Sequence, residues 1–246
     1  MDTLSNLLRE IWMRLARIVF FNRSQARFVV ILGGPGFGKD TIAERLKERL
    51  GLPVLTTGSL LRAAIASGSA LGQEIAPLVN SGKFVDDTVI MRLVREELAK
   101  PEYSHGAILN GIPRTVNQAN ALRSQLTWWG NKVNRVVMLE VEAEDVLERL
   151  SLRRICLNKS CNKTYHLKFA PPMQEGVCDS CKCALHTRQD DDPDVVRERL
   201  RVYGETFGPL RKFYEQSSLL TRVKSDNKKS VEEVVKDVIF TIEQFD

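Results

Sequence analysis

The amino-acid sequence predicts an α/β fold: a three-layer arrangement in which helices cover both faces of a parallel β-sheet that carries a P-loop. Three observations predict it. Short runs rich in β-branched residues, such as FVVIL at 28–32 and VNRVVMLEV at 133–141, are typical of buried parallel strands. Helical spacing of apolar residues follows these runs. The segment GGPGFGK, residues 33–39, links the first run to its helix and has the G-x-x-x-x-G-K pattern.

The remaining elements alternate in the same way. Further strands are expected within PVLTTG, GAILNGIPR and LTRVKS, at residues 53–58, 106–114 and 220–225. Helices are expected at about 39–50, 59–68, 75–83, 86–100, 116–126, 143–154, 192–216 and 230–245. Pro209 is expected to bend or divide the long helix at 192–216, because proline interrupts the helical hydrogen-bond ladder.

The glycine-rich segment predicts phosphate binding. Its glycines let backbone N–H groups turn toward phosphate oxygens, and the helix that follows presents its positive end to the same oxygens. Lys39 adds a mobile cation for the outer phosphates. A chance glycine-rich turn is the alternative, and the strand before it and the helix after it argue against that interpretation.

Composition places the chain among ordinary globular proteins. It has 246 residues, of which 43% are hydrophobic and 27% charged, so one large domain, with or without an insertion, is expected. The net charge of +5 suits an anionic ligand. Positive and negative charges are interspersed, and the alternation of aromatic and basic residues expected of a strand-binding surface is missing, so no nucleic-acid partner is expected.

An N-terminal extension, residues 1–27, precedes the predicted domain at 28–246. Within it, residues 4–21 form an amphipathic basic pattern at helical spacing. Packing against the domain, docking onto a protein, contact with a membrane surface and organelle targeting are the interpretations left open. No apolar run reaches the roughly 18 residues of a membrane span.

Five cysteines fall between residues 156 and 183. Four have the spacing C-x4-C-x16-C-x2-C, which suits a closed tetrahedral zinc site: Cys156, Cys161, Cys178 and Cys181. Disulfides and free thiols without a metal are the alternatives. Cys183 is expected to pack, with a role as substitute ligand as the alternative, and His166 is expected to be a structural hydrogen-bond partner. This cluster does not look like a secreted disulfide framework, so a cytoplasmic protein is expected, with the mitochondrial matrix as the alternative.

Five stretches together resemble one family, in its order and spacing. They are TTGSLLR at 56–62, GKFV at 82–85, NGIPRT at 110–115 with Gln118, RLSLRR at 149–154 and TRQDDDPDVVRERL at 187–200. The family is that of adenylate kinases, and the resemblance covers about residues 28–246. It implies a core, a helical AMP-binding segment at about 56–85 and a lid at about 155–187. It also implies a monomer that transfers a phosphoryl group from Mg-ATP to AMP, giving two ADP, with GTP as an alternative donor.

The resemblance implies roles for individual residues. The ATP-binding set is Gly34, Gly36, Gly38, Lys39, Asp40, Thr41, Arg149 and Arg153, with Arg149 stacked on the adenine. The AMP-binding set is Thr57, Arg62, Val85, Gly111, Arg114, Gln118, Arg188 and Arg199. The catalytic set is Lys39, Arg114, Arg153, Arg188 and Arg199. Phosphoryl transfer needs alignment, neutralised charge and exclusion of water, which arginines on a closing lid supply.

The predicted lid also resembles the zinc knuckle that some adenylate kinases carry. The shared sequence motifs are TYH-x-KF at 164–169 and PP-x-x-EGVC-x-x-C at 171–181. The first cysteine pair is separated here by four residues, LNKS, where the family usually has two. The resemblance therefore implies structural Zn²⁺ in the lid, besides the Mg²⁺ that accompanies ATP.

Three positions depart from the family's pattern. Asp40 replaces the usual glycine, while Ser59 and Asn110 replace aspartates that normally hold water molecules around Mg²⁺. Our hypothesis is that Asp40, directly after the loop lysine, supplies a metal-holding carboxylate from the loop side. The alternative is a catalytically weakened nucleotide sensor or scaffold.

Overall fold

The computed structural model of the chain describes residues 26–80, 85–158, 160–161, 163–187 and 191–243. The predicted helix at 4–21, most of GKFV and the predicted site residue Arg188 lie outside these ranges. The boundaries predicted for the extension, the AMP-binding segment and the lid stay predictions.

The described strands form two sheets. The strands are β1 Arg27–Leu32, β2 Val54–Thr56, β3 Gly106–Asn110, β4 Val133–Glu140, β5 Arg153–Cys156, β6 Thr164–His166, β7 Leu185–His186 and β8 Leu220–Lys224. Five of them make the main sheet, in the order β2-β3-β1-β4-β8, and all of its neighbours pair in parallel. The other three make a small antiparallel sheet in the order β6-β5-β7.

The described helices connect the parallel strands. They are α1 Lys39–Leu50, α2 Thr57–Ala66, α3 Ala70–Asn80, α4 Asp87–Leu98, α5 Val116–Trp128, α6 Ala143–Ser151, α7 Pro193–Glu215 and α8 Val231–Glu243, with a short 3-10 turn at Pro101–Tyr103. Within the described ranges, no helix is both long enough and apolar enough to cross a bilayer.

The central strand β1 shows why the main sheet needs helices on both faces. Phe28 and Val30 belong to one hydrophobic cluster and Val29 and Ile31 to another, and all four are fully buried. Because successive side chains of a strand point to opposite faces, the two clusters lie on opposite sides of the sheet. A strand buried on both sides reads as a continuous apolar run, as FVVIL does. The predicted three-layer α/β fold is confirmed.

The helices divide between these clusters. One cluster includes buried residues of α2, α3, α4 and α5, and the other includes buried residues of α1, α6 and α8. The long helix α7 contributes to both, through Leu210 and Val196. This double anchoring explains why Pro209 does not divide α7, one of the two outcomes predicted for it. The described backbone remains one helix from Pro193 to Glu215 because packing on both sides of the proline outweighs the lost hydrogen bond.

The helix predicted at 143–154 ends earlier, at Ser151. Arg153 and Arg154 instead begin β5, whose residues 153–155 pair with His166, Tyr165 and Thr164. Helical spacing in LERLSLRR continues past the true end of the helix, but the antiparallel pairing of the small sheet captures these residues. The predicted helix boundary is therefore wrong, and the two arginines extend from a strand.

The carboxyl ends of the parallel strands all open onto one edge of the main sheet. β1 leads into the glycine-rich loop at Gly33, β2 into Thr57, β3 into Gly111 and β8 into Ser225. In open parallel sheets, ligands bind at this edge. Four chain segments that are distant in sequence thus meet where a ligand is expected.

Candidate functional site

The glycine-rich loop runs directly into α1. Gly38 is the residue before the helix and has a left-handed backbone, with φ of 83°. Gly36 also has positive φ, 77°, and a Cβ there would come within 2.8 Å of Val146 Cγ1. The loop therefore needs glycine at these positions both for its turn and for its close approach to α6. Its N–H groups and the start of α1 form a site suited to phosphate.

Lys39 folds back over the loop. Its Nζ donates a hydrogen bond to the carbonyl oxygen of Gly34 at 2.6 Å. Burial lowers the pKa of Lys39 to about 8, and the neighbouring Asp40 carboxylate opposes that shift. An anionic ligand at the loop would favour the charged ammonium in the same way. The protein thus holds a partly desolvated cation ready for phosphate.

Two arginines face the same space as Lys39. The pKa of Arg114 is lowered by burial and then by the nearby charge of Arg199, and both arginines further depress the pKa of Lys39. Gly111 lies between Lys39 and Arg114: a Cβ there would sit 3.7 Å from Lys39 Cε and 3.9 Å from Arg114 Nη2. Arg114 Nε also donates to the Gly111 carbonyl at 3.1 Å. The structure therefore brings together three cations that sequence analysis assigned to catalysis, and their combined positive charge favours an anionic ligand.

Asp40 contacts Asn110, one of the two positions where the family pattern has an aspartate. Asn110 Nδ2 donates a hydrogen bond to Asp40 Oδ1 at 2.7 Å, although the two residues are 70 apart in sequence. Asn110 is 4% exposed at the end of β3, whereas Asp40 is exposed in the first turn of α1. The contact uses one oxygen of Asp40. The negative charge thus lies next to position 110, supplied by the loop helix rather than by the strand.

Ser59 has a structural role in the described fold. Thr56 caps α2: its side-chain oxygen accepts a hydrogen bond from the Ser59 backbone N–H at 3.0 Å, and Ser59 Oγ accepts in return from the Thr56 backbone N–H at 3.3 Å. A capping box of this kind fixes where the helix begins. It also places Thr57, the first helical residue, at the carboxyl edge of the sheet.

The residues assigned to the AMP site line the side of the cleft next to β3. Thr57 is buried, and its hydroxyl donates to the Gly111 carbonyl at 3.4 Å. Gln118 is buried, and its Oε1 accepts from the Arg114 backbone N–H at 2.8 Å. Arg62 is exposed, with its guanidinium beside Gly58. Val85, also assigned to this site, is half-buried and packs against the hydrophobic cluster of α2–α5.

Asp87 holds Gln118 and the start of α5 from the other side. Gln118 Nε2 donates to Asp87 Oδ1 at 2.6 Å, and Thr115 Oγ1 donates to Asp87 Oδ2 at 2.6 Å. Sequence analysis missed Asp87. The local signal was its place two residues after the GKFV motif, and the contact itself joins residues 31 apart.

Arg149, near the end of α6, lies beside the phosphate loop. Its Nε donates to Asn227 Oδ1 at 2.7 Å, and its Nη2 donates to the Ser225 carbonyl. A Cβ on Gly38 would be 3.9 Å from Arg149 Nη1, which places the guanidinium beside the loop. Sequence analysis missed Ser225 and Asn227, because nothing in LTRVKSDN marks a partner for an arginine 76 to 78 residues earlier.

Arg153 forms an ion pair at the base of the small sheet. Its Nε donates to Asp191 Oδ2 at 2.9 Å and its Nη2 to Asp191 Oδ1, and the Asp191 side chain is fully buried. Two parallel hydrogen bonds make this a bidentate pair. Sequence analysis singled out Arg153 and missed Asp191.

Thr41 is the remaining residue of the predicted ATP-binding set, and it is exposed in the first turn of α1.

The four cysteines predicted to bind metal converge in the small sheet. The Sγ atoms of Cys156, Cys161, Cys178 and Cys181 all lie within 4.8 Å of one another. Cys156 Sγ and Cys181 Sγ are 3.3 Å apart, and Cys161 Sγ and Cys178 Sγ are 3.7 Å apart. Tetrahedral zinc with Zn–S bonds of about 2.3 Å separates sulfurs by about 3.8 Å. The thiols are all free, so the disulfide alternative is wrong, and the four-residue spacing of the first pair does not keep Cys156 out of the cluster.

Tyr165 supports this cluster from behind. Its hydroxyl accepts a hydrogen bond from the Asp179 backbone N–H at 2.7 Å and so directs its own proton to Cys178 Sγ, 3.4 Å away. That hydrogen bond lowers the pKa of Cys178 to about 6. A tyrosine that orients and stabilises a thiolate is the kind of outer-shell contact that metal ligands use.

His166 and Cys183 stand outside the four-sulfur cluster. His166 Nδ1 accepts from the backbone N–H groups of Lys168 and Phe169, and its ring packs at a tilt of 34° against the Phe169 ring with centroids 4.6 Å apart. This agrees with the structural role expected of it. Cys183 packs against the cluster, and its carbonyl accepts from the Cys178 N–H at 2.8 Å.

Comparison with known proteins identifies this arrangement. The family model for adenylate kinase matches residues 31–235. The chain belongs to the adenylate kinase family. The adenylate kinase of Fervidobacterium nodosum is 41% identical over 214 residues, which are 87% of this chain and 96% of the relative. Those of Archaeoglobus fulgidus and Geobacter sulfurreducens are 38% and 39% identical, over 88% and 87% of this chain and 98% and 97% of the relatives.

Membership of the family fixes the class of chemistry. The chain is a nucleoside monophosphate kinase, a phosphotransferase that binds nucleotides, and the predicted enzyme class is confirmed. Adenylate kinases act on ATP and AMP and use Mg-ATP.

Proposed function

We propose that this enzyme transfers the γ-phosphoryl group of Mg-ATP to AMP at the cluster formed by Lys39, Arg114 and Arg199. The observation that carries the proposal is the position of Lys39 and Arg114 on either side of Gly111, with Arg199 close enough to lower the pKa of both. The buried Thr57 and Gln118 side chains contact Gly111 and the backbone of Arg114. Two anionic groups that met there would be neutralised by these cations, of which Lys39 and Arg114 are already desolvated by the fold.

The donor nucleotide would occupy the loop side. Backbone N–H groups of Gly34, Gly36 and Gly38 and the start of α1, including Thr41, would hold its phosphates, with Lys39 on the outer ones. Arg149 lies beside this loop with its guanidinium fixed by residues 225–227, a fixed planar surface on which a base can stack. Arg153 would complete the donor side when the lid closes.

The acceptor nucleotide would occupy the β3 side. Arg62 and Arg114 would bind its phosphate, with Arg188 and Arg199 nearer the transferred group. Thr57, Val85, Gly111 and Gln118 would surround its base. This division explains why buried polar side chains on that side, Thr57 and Gln118, are oriented by hydrogen bonds within the protein.

The chemistry needs no general base. An oxygen of the acceptor's phosphate, already deprotonated near neutral pH, attacks the γ-phosphorus and forms the new P–O bond. The bond between that phosphorus and the β–γ bridging oxygen breaks, and its electron pair leaves with ADP, so both products are ADP. Lys39, Arg114, Arg153, Arg188 and Arg199 would act by aligning the two phosphates and stabilising charge.

Mg²⁺ is proposed to accompany ATP with Asp40 as the residue that holds it. Mg²⁺ prefers oxygen ligands and keeps several of its waters, so one exposed carboxylate with a free oxygen fits. The Asn110 contact orients Asp40 toward the carboxyl edge of the sheet and leaves Oδ2 for the metal or its water. Without a metal, a carboxylate about 5 Å from a phosphate would cost about 3 kcal/mol at an effective dielectric of about 20. Bound Mg²⁺ neutralises that repulsion.

Structural Zn²⁺ is proposed for the four-cysteine cluster. The cluster is almost the whole interior of the small sheet: Cys156, Tyr165 and Cys178 are its buried members, and the other cysteines and Leu185 pack around them. So small a hydrophobic interior cannot hold a three-stranded sheet together, and a closed tetrathiolate site would supply the missing stability.

A phosphotransfer assay tests the substrates. With ATP and AMP, and Mg²⁺ titrated from zero, we expect ADP to form in twice the molar amount of AMP consumed, with the rate rising as Mg²⁺ is added. GTP in place of ATP tests the alternative donor. Equal kcat/KM for both donors would exclude ATP selectivity, and tight nucleotide binding without turnover would contradict the proposed assignment of the site.

Loss of one cysteine ligand tests the metal. Cys178→Ser is expected to abolish stoichiometric zinc, measured by elemental analysis of the purified protein, and to make the segment around residues 153–187 sensitive to protease. Cys183→Ser is the matched control, because Cys183 lies next to the cluster without belonging to it. Zinc retained in Cys178→Ser, or lost equally in both variants, would contradict the assignment.

A further inference from the structure

We propose that Asp87 is a positioning residue that makes this enzyme select adenine over 6-oxopurines in the acceptor nucleotide. The proposal rests on the assignment of Gln118 to the acceptor site made above. Asp87 would not touch the substrate. It would act by permitting only one orientation of the Gln118 side-chain amide.

The contacts of Gln118 have fixed polarity at both ends. The Arg114 backbone N–H can only donate, so it requires the amide oxygen, Oε1, at 2.8 Å. The Asp87 carboxylate can only accept when ionised, so it requires the amide nitrogen, Nε2, at 2.6 Å. Thr115 holds the second Asp87 oxygen at 2.6 Å, which stops the carboxylate from rotating away.

Turning the amide over would be unfavourable. Oε1 would then face a carboxylate oxygen, and Nε2 would face an N–H group. One hydrogen bond would be replaced by two facing acceptors and the other by two facing donors. Gln118 is 5% exposed, so water cannot readily compensate. A buried polar group left unsatisfied keeps the full penalty of losing its water, so the turned orientation is strongly disfavoured. The amide therefore has one orientation in the described structure.

The two contacts use one amide hydrogen and one oxygen lone pair. One N–H and one lone pair are left for a ligand. We infer that they are the pair on the edge shared by the amide oxygen and nitrogen, where both can meet one base edge. Adenine offers the complementary pair, an acceptor ring nitrogen beside the donor 6-amino group. A 6-oxopurine has a 6-carbonyl acceptor in place of that donor. A lone pair of this carbonyl oxygen would therefore face the lone pair of Gln118 Oε1, and no hydrogen bond could form between them. It would be accommodated on its N1–H and 6-carbonyl edge only if the amide turned over.

The test compares AMP with IMP, which differ at the 6-position of the base and carry the same ribose phosphate. Asp87→Asn can donate as well as accept, so it removes one of the two mismatches of the turned amide. We expect the ratio of kcat/KM for AMP to kcat/KM for IMP to fall at least tenfold, mainly through KM of the acceptor, with KM for ATP unchanged. Asp87→Glu, which keeps the carboxylate, is expected to restore much of the ratio.

Asp86→Asn is the matched control. Asp86 is the adjacent carboxylate and caps α4 by accepting from the Thr88 N–H at 2.8 Å, a role that asparagine also fills. It is expected to leave the ratio unchanged. If Asp87→Asn lowers activity with AMP and IMP equally, or leaves both unchanged, the proposal is wrong. Failure of the unmodified enzyme to phosphorylate AMP in preference to IMP would instead contradict the acceptor-site assignment itself.

Discussion

Asp40→Gly is expected to weaken the effect of Mg²⁺ on ATP affinity by about 10- to 100-fold, the loss typical of removing a group that orients a metal ion or its waters. The same substitution is expected to tighten the binding of metal-free ATP, because it removes a negative charge next to the phosphate loop. These two changes have opposite signs. A merely damaged site would weaken binding under both conditions.

The measurement is the dissociation constant of a non-hydrolysable ATP analogue, with EDTA and with Mg²⁺. Electron paramagnetic resonance of Mn²⁺ bound with the same analogue reports on the metal directly. Glu44→Gln is the control, because Glu44 is an exposed carboxylate one turn further along α1 that pairs with Lys47 at 3.6 Å. Metal-dependent binding that is unchanged or stronger in Asp40→Gly would show that Asp40 has no part in holding Mg²⁺.

Exchanging the two residues sharpens the same experiment. Because Asn110 contacts Asp40 directly, Asp40→Gly combined with Asn110→Asp moves the carboxylate from the helix to the strand without changing the charge of the site. We expect the double variant to recover most of the Mg²⁺ effect that Asp40→Gly loses. Asn110→Asp alone would place two carboxylates in contact and is expected to lower stability in the absence of metal. Additive losses in the double variant would contradict a shared metal-holding role.

Lys39→Met is expected to lower kcat by about 10²–10³-fold, as loss of one preorganised charge at a reacting group does. It is also expected to stabilise the ligand-free protein. Burial lowers the pKa of Lys39 to about 8 in the folded state, whereas an exposed lysine titrates near 10.5. The difference corresponds to about 3 kcal/mol of unfavourable free energy at neutral pH. The enzyme would thus be less stable because it keeps this cation ready for phosphate.

The effect of Lys39 on stability is expected to depend on pH. Between about pH 8 and 10.5 the unfolded chain holds a proton at Lys39 that the folded chain has lost, so the contribution of this residue to the free energy of unfolding rises with pH. The stability advantage of Lys39→Met should therefore be full below pH 8 and shrink toward pH 10.5. Urea unfolding of both proteins across this range measures it. Lys47→Met, an exposed lysine of the same helix, is expected to show no such advantage.

The parallel sheet could be predicted because its signals are local. Each strand is a short apolar run, each helix has its own spacing, and the glycine-rich loop marks the edge where the ligand binds. The four cysteines could be predicted for a similar reason, since metal ligands are few in type and their spacing is visible in the sequence. Their convergence within 4.8 Å matches that expectation.

The remaining parts of the site depend on contacts between distant residues. Asp87 with Gln118, Asp191 with Arg153 and Asn227 with Arg149 join residues 31, 38 and 78 apart. Nothing in the composition of a loop tells which buried side chain it will orient. The same limit explains the error at Arg153 and Arg154, where pairing with 164–166 overrides a helical pattern that continues through the sequence.

The ion pair between Arg153 and the buried Asp191 has a consequence for how the chain can change over evolution. It brings the two ends of a 38-residue excursion together at the base of the small sheet. A segment whose ends already meet can be shortened, lengthened or exchanged without moving the two points where it joins the rest of the chain. Because the entropy of loop closure changes slowly with length, such a change alters it little. Transplanting residues 153–191 from one relative to another should therefore conserve the strand order of the host, whether or not the transplanted piece carries cysteines.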